Sequence, residues 1–267
     1  MVTSTVPTSL SGFKMLTIPI GVNIIMILFG SSLAGLLVSR FLPHHHLSAE
    51  TKSVVSVSIT NFAALAALVL GLLLSTASTY FAGKAQELAG HSTELIRLDH
   101  LLRRYGPEAQ EVRLLLHRYT AAELQELFPK NANKGADLTN DALASLLDEV
   151  AIRIQALGHA SDSQRWLRAQ ALHVAAAVQE TRWHLAQEDP TQIPFPVLAL
   201  VVFWFAIIFA SFGLCAPRNL TAILAIFFWA VGVGTAVRMT RELHLPFQGL
   251  IRISSTPLKD ALEAMSR

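Results

Sequence analysis

Charge is scarce in this chain, and the scarcity is local. Only 15% of the 267 residues are Asp, Glu, Lys or Arg, against roughly 25% in an average soluble domain. Residues 15–39, 53–83, 190–217 and 219–237 carry no charged side chain, so the 21 basic and 19 acidic residues crowd into what is left. That remainder has a soluble protein's charge density, which excludes both a single soluble globule and a disordered chain. Cysteine is nearly absent: Cys215 stands alone inside the third uncharged stretch, leaving no disulfide and no thiolate metal site. None of the four stretches holds even a histidine. Proton-coupled carriers and pumps keep an ionisable group within the bilayer, so passive permeation, or no transport, remains. Hydrolase elbow, phosphate loop, paired-cysteine motif and metalloprotease helix motif are all missing, so no catalytic residue, cofactor or metal ligand is assigned and no enzymatic activity is expected. No strand pattern or internal repeat occurs.

What is present begins with length. A helix needs about 20 apolar residues to cross a 30 Å hydrocarbon core, and each uncharged stretch reaches or nearly reaches that. The spacing predicts four transmembrane helices. The first is too long for a signal-peptide core, and Arg40-Phe41-Leu42-Pro43-His44 after it lacks a small-x-small cleavage site, so it should be retained. Near the membrane, Lys14, Lys84, Arg97, Arg103, Arg182, Arg238, Arg241 and Arg252 fall on one side, against Arg40, Lys52 and Arg218 on the other. The positive-inside bias puts both termini and residues 84–189 in the cytoplasm of a multi-pass inner-membrane protein. The expected divisions are 1–83, an N-terminal tail with spans 1 and 2; 84–189, a helical cytoplasmic domain; 190–237, spans 3 and 4; and 238–267, a cytoplasmic tail.

Residues 84–189 hold 12 basic and 15 acidic residues, and their apolar residues recur at helical spacing. Four helices are expected. The first grows out of span 2 with Leu88, Leu95, Leu98 and Leu102 on one face, and stops at Gly106-Pro107. A second covers about 108–127. After a loop at 129–137, a third carries Leu143, Leu146, Leu147, Val150, Ile154 and Leu157 and ends at Gly158. A fourth opens with Ser161 and Gln164 at capping-box spacing and runs to about 187, before Pro190, Pro194 and Pro196. Nothing at Gly83-Lys84 interrupts the helix leaving span 2.

Span 2 is the most informative. Ser53, Ser56, Thr60, Ala64, Ala67, Gly71, Ser75 and Ser78 share one helical face, a stripe of small residues that permits close helix approach in lipid. Roughly 100° round lies a second stripe: Asn61, Leu65, Leu68, Leu72, Thr76 and Thr79. Polar ends around three leucines describe a pore with a hydrophobic constriction. The same leucines would equally meet lipid or a neighbouring helix. Small pairs at Gly30 and Ala34, Ser31 and Gly35, and Gly232 and Ala236 serve either an oligomer interface or packing within one subunit, with the latter favoured. Phe203, Trp204, Phe205, Phe227, Phe228 and Trp229 lie near mid-membrane. His44-His45-His46 is not read as a metal site, because three consecutive imidazoles in a short loop do not readily close a tetrahedron. His91, His100, His173 and His184 read as ordinary surface or interhelical residues. Arg103-Arg104, Arg238 and Arg241 suit anionic headgroups and are too few for a nucleic-acid surface. In Ala216-Pro217-Arg218-Asn219, Pro ends one helix and Asn219 caps the next, placing Arg218 at the outer headgroups or the outer mouth.

The run GLLLSTASTYFAGKAQELAGHSTELIRLDHLLRRYGPEAQEVR at 71–113, FASFGLCAPRNLTA at 209–222 and, above all, ELHLPFQGLIRISSTPLKDALEAM at 242–265 resemble the bestrophin-like family of bacterial membrane proteins, distant relatives of the bestrophin channels. Residues 130–160 carry nothing of the likeness. The resemblance implies a pentameric assembly, anion-channel ancestry and a pore lined by span 2. Pro246-Phe247-Gln248-Gly249 is similar to the bestrophin Pro-Phe-Gly turn with one residue inserted. Leu250-Ile251-Arg252-Ile253-Ser254 has no acidic cluster, so bestrophin-type calcium gating is not expected.

The expectation is therefore an all-α, four-span membrane protein with a helical cytoplasmic domain between spans 2 and 3. It should form a homo-oligomer that passes inorganic ions through a pore lined by span 2. The competing expectation is a membrane scaffold or sensor that binds a cytoplasmic partner without flux. The lipid bilayer is a partner in either case. Selectivity stays open: Arg40, Lys52 and Arg218 against Glu50 favour anions at the outer mouth, whereas the mildly acidic cytoplasmic part favours cations.

Overall fold

The computed structural model describes residues 17–41, 49–129, 141–158, 161–186, 195–217, 219–247 and 250–267. His44 to His46, Arg218, most of the 129–137 loop and the Gln248-Gly249 pair lie outside the described residues. Every regular element among those described is helical: α1 (Thr17–Val38), α2 (Ala49–Tyr105), one turn of 3-10 helix (Pro107–Ala109), α3 (Gln110–Leu127), α4 (Asp141–Ala156), α5 (Asp162–Ala186), α6 (Phe195–Cys215), α7 (Leu220–Leu243) and α8 (Thr256–Ser266). Four of these, α1, α2, α6 and α7, are long and apolar enough to cross a membrane. The described residues form two compact units. One holds α1, α2 up to Thr79, α6 and α7; the other holds the rest of α2, α3 to α5, and the chain from Leu245 on.

Helix ends follow local chemistry. α2 stops where Gly106 adopts φ 127°, a left-handed value that a Cβ disfavours, and Pro107 follows it. Ser161 accepts the Gln164 N–H at 3.2 Å at the start of α5. Asn219 caps α7, its Oδ1 accepting the Ala222 N–H at 2.9 Å.

In the first unit, α1 packs mainly on α6 and α7. The tightest point is reciprocal. A Cβ at Gly35 would overlap the Ala210 carbonyl, and one at Gly213 would overlap the Ser32 carbonyl. Without a hydrophobic drive between helices in lipid, such small residues let backbones touch. Gly35 thus packs within the chain, whereas Gly30 meets nothing within 4 Å. On α7 it is Gly234, against Ile25 of α1, that allows close approach, while Gly232 faces open space.

The second unit has the core of a soluble helical domain. Leu88, Leu95, Leu98 and Leu102 of α2 are buried with Leu116 and Tyr119 of α3, Leu147 and Ile154 of α4, and Val174 and Val178 of α5. α8 adds Leu258, Ala261 and Met265, and Phe247 and Ile253 join the same core. The segment after the last span is therefore built into this unit. The Ile253 N–H closes the turn by donating to the Pro246 carbonyl at 2.9 Å.

Candidate pore-lining face

α2 meets its own unit along a narrow strip. Ala66, Leu70 and Ala77 are buried, with Phe62, Ala63, Val69 and Leu73 packed beside them; Phe62 stacks edge-on against Trp204 of α6 at 5.9 Å between ring centroids. The rest of the helical circumference is open. Asn61, Thr76 and Thr79 are exposed, and Leu65, Leu68 and Leu72 are 60%, 60% and 61% exposed. These six lie roughly 130° from the buried strip. The small-residue stripe is exposed as well, from Ser53 to Ser78, so it packs on no helix of the same unit. Arg218, the seventh candidate, lies outside the described residues.

The exposed polar groups on these two stripes of α2 are partly self-satisfied. Thr60 Oγ1 donates to the Ser56 carbonyl at 2.8 Å, Thr76 to Leu72 at 2.9 Å and Thr79 to Ser75 at 3.1 Å. Returning a bond to its own helix lowers each hydroxyl's cost of standing in an apolar medium and leaves its acceptor lone pairs unused. The open faces of the other three helices differ. α1 shows Val22, Met26, Ile27, Leu33 and Leu37, α6 shows Leu200, Phe203 and Ile207, and α7 shows Leu224, Phe228 and Trp229. These faces are mainly apolar, with Asn23 exposed on α1 and Thr221 and Thr235 on α7; α2 shows alcohols and an amide at both ends of a leucine band.

Below Thr79, α2 enters the second unit, where it carries polar chemistry that spacing alone did not single out. Asp99, 3% exposed at its side chain, receives Arg113 Nε from α3 at 2.8 Å and Arg103 Nη2 at 3.3 Å. His91 is fully buried; its Nε2 donates to both Glu123 oxygens at 3.0 and 3.1 Å, and Tyr119 Oη donates to Glu123 Oε1 at 3.0 Å. Burial first, and then the Glu123 carboxylate, raises the Tyr119 phenol well above its ordinary value, with Arg182 pulling the other way. Lys84 Nζ donates to Glu87 at 2.9 Å and to the His184 carbonyl of α5 at 2.8 Å. The Asp99–Arg103, Lys84–Glu87 and Tyr119–Glu123 pairs, three or four apart on one helix, had a local signal; the bonds from α2 to α3 and α5 join residues distant in sequence. Among the described residues no group of three His, Cys, Asp or Glu could hold a metal ion.

A family model for the bestrophin-like domain matches residues 26–258. The chain belongs to the bestrophin-like family. No curated protein matches it. The bestrophin-like chain is similar in fold to crystal structures of a bacterial bestrophin homologue from Klebsiella pneumoniae. One of these, phased from zinc, shares 16% identity, with a TM-score of 0.62 over 92% of this chain and 98% of that one. A tryptophan-to-alanine variant gives 16% and 0.63 over 94% and 98%, and an isoleucine-to-threonine variant 16% and 0.60 over 92% and 99%. In the bestrophin-like chain, α2, the Pro246 turn and the first residues of α8 all fall inside the matched range.

Proposed function

We propose that the protein is one subunit of a homo-oligomeric ion channel, pentameric by its resemblance to bestrophins, that passes inorganic ions passively through an axial pore lined by α2. Asn61 faces the outer vestibule, Leu65, Leu68 and Leu72 form the constriction, and Thr76 and Thr79 face the inner vestibule. It acts without catalysis. The observation that carries this reading is how little of α2 its own unit covers: outside a narrow buried strip the helix is open, and its open face carries three exposed leucines between Asn61 and Thr76 with no charge. Leucines around a narrow axis expel water and so block ions until they move aside. The protein sits in the inner membrane with both termini and the second helical unit in the cytoplasm, and Arg218 stands near the outer mouth.

Reconstitution of purified protein in planar bilayers under asymmetric salt tests this. Currents are expected, and their reversal potential reports the ion. Leu68→Ser should raise basal conductance severalfold by wetting the constriction, while Leu200→Ser, on the open apolar face of α6, should leave it unchanged. Silence from well-folded protein would instead favour the scaffold reading. Topology has its own test: in intact cells an impermeant thiol reagent should reach Ser48→Cys and spare Asn133→Cys.

A further inference from the structure

Gln110, Arg113, Leu114 and His117 share one face of α3. Together with the end of α8 they border a cavity of about 300 Å3, which is the lower end of the range for small-ligand pockets. Its charged side chains are of one sign, while the carbonyl end of α8 forms the other wall. No carboxylate side chain lines it; Arg113, His117 and Arg267 do. The short bond from Arg113 Nε to Asp99 Oδ1, 2.8 Å, fixes the direction of the guanidinium. Its outer nitrogens are weakly engaged: Nη1 donates to Gln110 Oε1 at 3.3 Å, and Nη2 to Asp99 Oδ2 at 3.3 Å and to the Met265 carbonyl at 3.4 Å. Charge-assisted N–H to oxyanion bonds close to about 2.7–2.9 Å, so a better acceptor would displace those long contacts. One turn further along, the half-buried His117 ring has no hydrogen-bond partner among the described residues. Arg103 joins Arg113 on the single Asp99 carboxylate, which leaves a surplus positive charge beside the cavity. Arg267 at the rim is neutralised by Glu263 at 2.6 Å.

We propose that this cavity binds a small soluble oxyanion, a phosphate or carboxylate group on a molecule of metabolite size. The outer edge of Arg113 grips two oxygens in the fork geometry that guanidinium favours, and the His117 ring and the Gln110 amide supply further donors. This holds whether or not α2 lines a pore. The competing explanation is that Arg113 only caps the carbonyl end of α8, in which case nothing binds. The test uses full-length protein in detergent, titrated calorimetrically and followed by thermal unfolding. Inorganic phosphate and succinate are the probes, with sodium chloride at matched ionic strength as the control. Saturable binding and a raised Tm are expected with at least one probe, and the probe that acts identifies the group. Arg113→Gln should weaken binding about tenfold or more. His117→Ala breaks no bond of the fold and should weaken binding about threefold. Leu114→Trp, which fills the cavity, should abolish binding even if Arg113→Gln does not fold. Stabilisation no greater than that of sodium chloride, or undiminished affinity in both His117→Ala and Leu114→Trp, overturns the site.

Discussion

Leu68 and Leu98 belong to one uninterrupted helix and have opposite fates. Leu68 is 60% exposed in its unit, and Leu98 is fully buried in the other. In the second unit, apolar residues mark what is inside, as the hydrophobic effect sorts the side chains of a packed core by polarity. In the first unit the spans carry almost no charge, and polarity does not separate the packed apolar residues from the open ones. There small residues decide which faces meet, as at Gly35 and Gly213. The same sequence feature, a leucine at helical spacing, therefore carries information in one region and almost none in the other.

The largest expected effect breaks the packing rule of the first unit. Gly35→Leu would drive a branched side chain into the Ala210 backbone, and the two helices have no flexible side chain there to yield. Overpacking usually costs about 1–3 kcal/mol where side chains can adjust; against backbone the cost should be higher, and the variant should fail to yield monodisperse protein. Gly30→Leu, whose Cβ meets nothing within 4 Å, should purify normally within this unit's own packing. If the two behave alike on size exclusion, the α1 and α6 contact is not what holds the unit together.

A second measurement sharpens the comparison with one substitution at two places. Leu98→Ala leaves a void in a packed core and should cost about 3 kcal/mol, read as a lower unfolding midpoint in detergent. Leu68→Ala truncates a side chain outside the buried core of the unit and should shift stability by less than about 0.5 kcal/mol, while altering conductance if the leucine band gates. Equal destabilisation would mean that Leu68 is buried in the assembly against another subunit rather than open to an axis.

How much was legible in the sequence follows the same division. The buried stripe of α2 below Gly83, the stop at Gly106, the Ser161 cap and the Asn219 cap each rest on residues within one or two turns, and local chemistry suffices to read them. Two things did not show. Within 238–267, read as a tail, Phe247, Ile253, Leu258 and Met265 find their partners on distant helices. Likewise the strip by which α2 meets its own unit is set by Phe62, Val69 and Leu73, which no polarity contrast separates from Leu65 or Leu72. The spacing of the α2 stripes was readable from angle alone, whereas their exposure required the packing of α6.

The smallest effect concerns the polar cluster around Tyr119 in the second unit. Tyr119 is buried, and its phenol titrates well above its ordinary value near 10 because burial and the Glu123 carboxylate both oppose the phenolate. The unfolded chain therefore gives up this proton first as pH rises. The stability tied to the neutral phenol is complete below about pH 10 and drains away as pH climbs from there toward the folded value. Tyr119→Phe has no proton to lose. It should be less stable at pH 8 by about 1 kcal/mol for the lost hydrogen bond to Glu123, yet fall less steeply from pH 10 upward. Unfolding midpoints measured in detergent between about pH 8 and 11 would show the two curves converging. Parallel curves would mean that water reaches the phenol and that the second unit is looser around His91 and Glu123 than its burial implies.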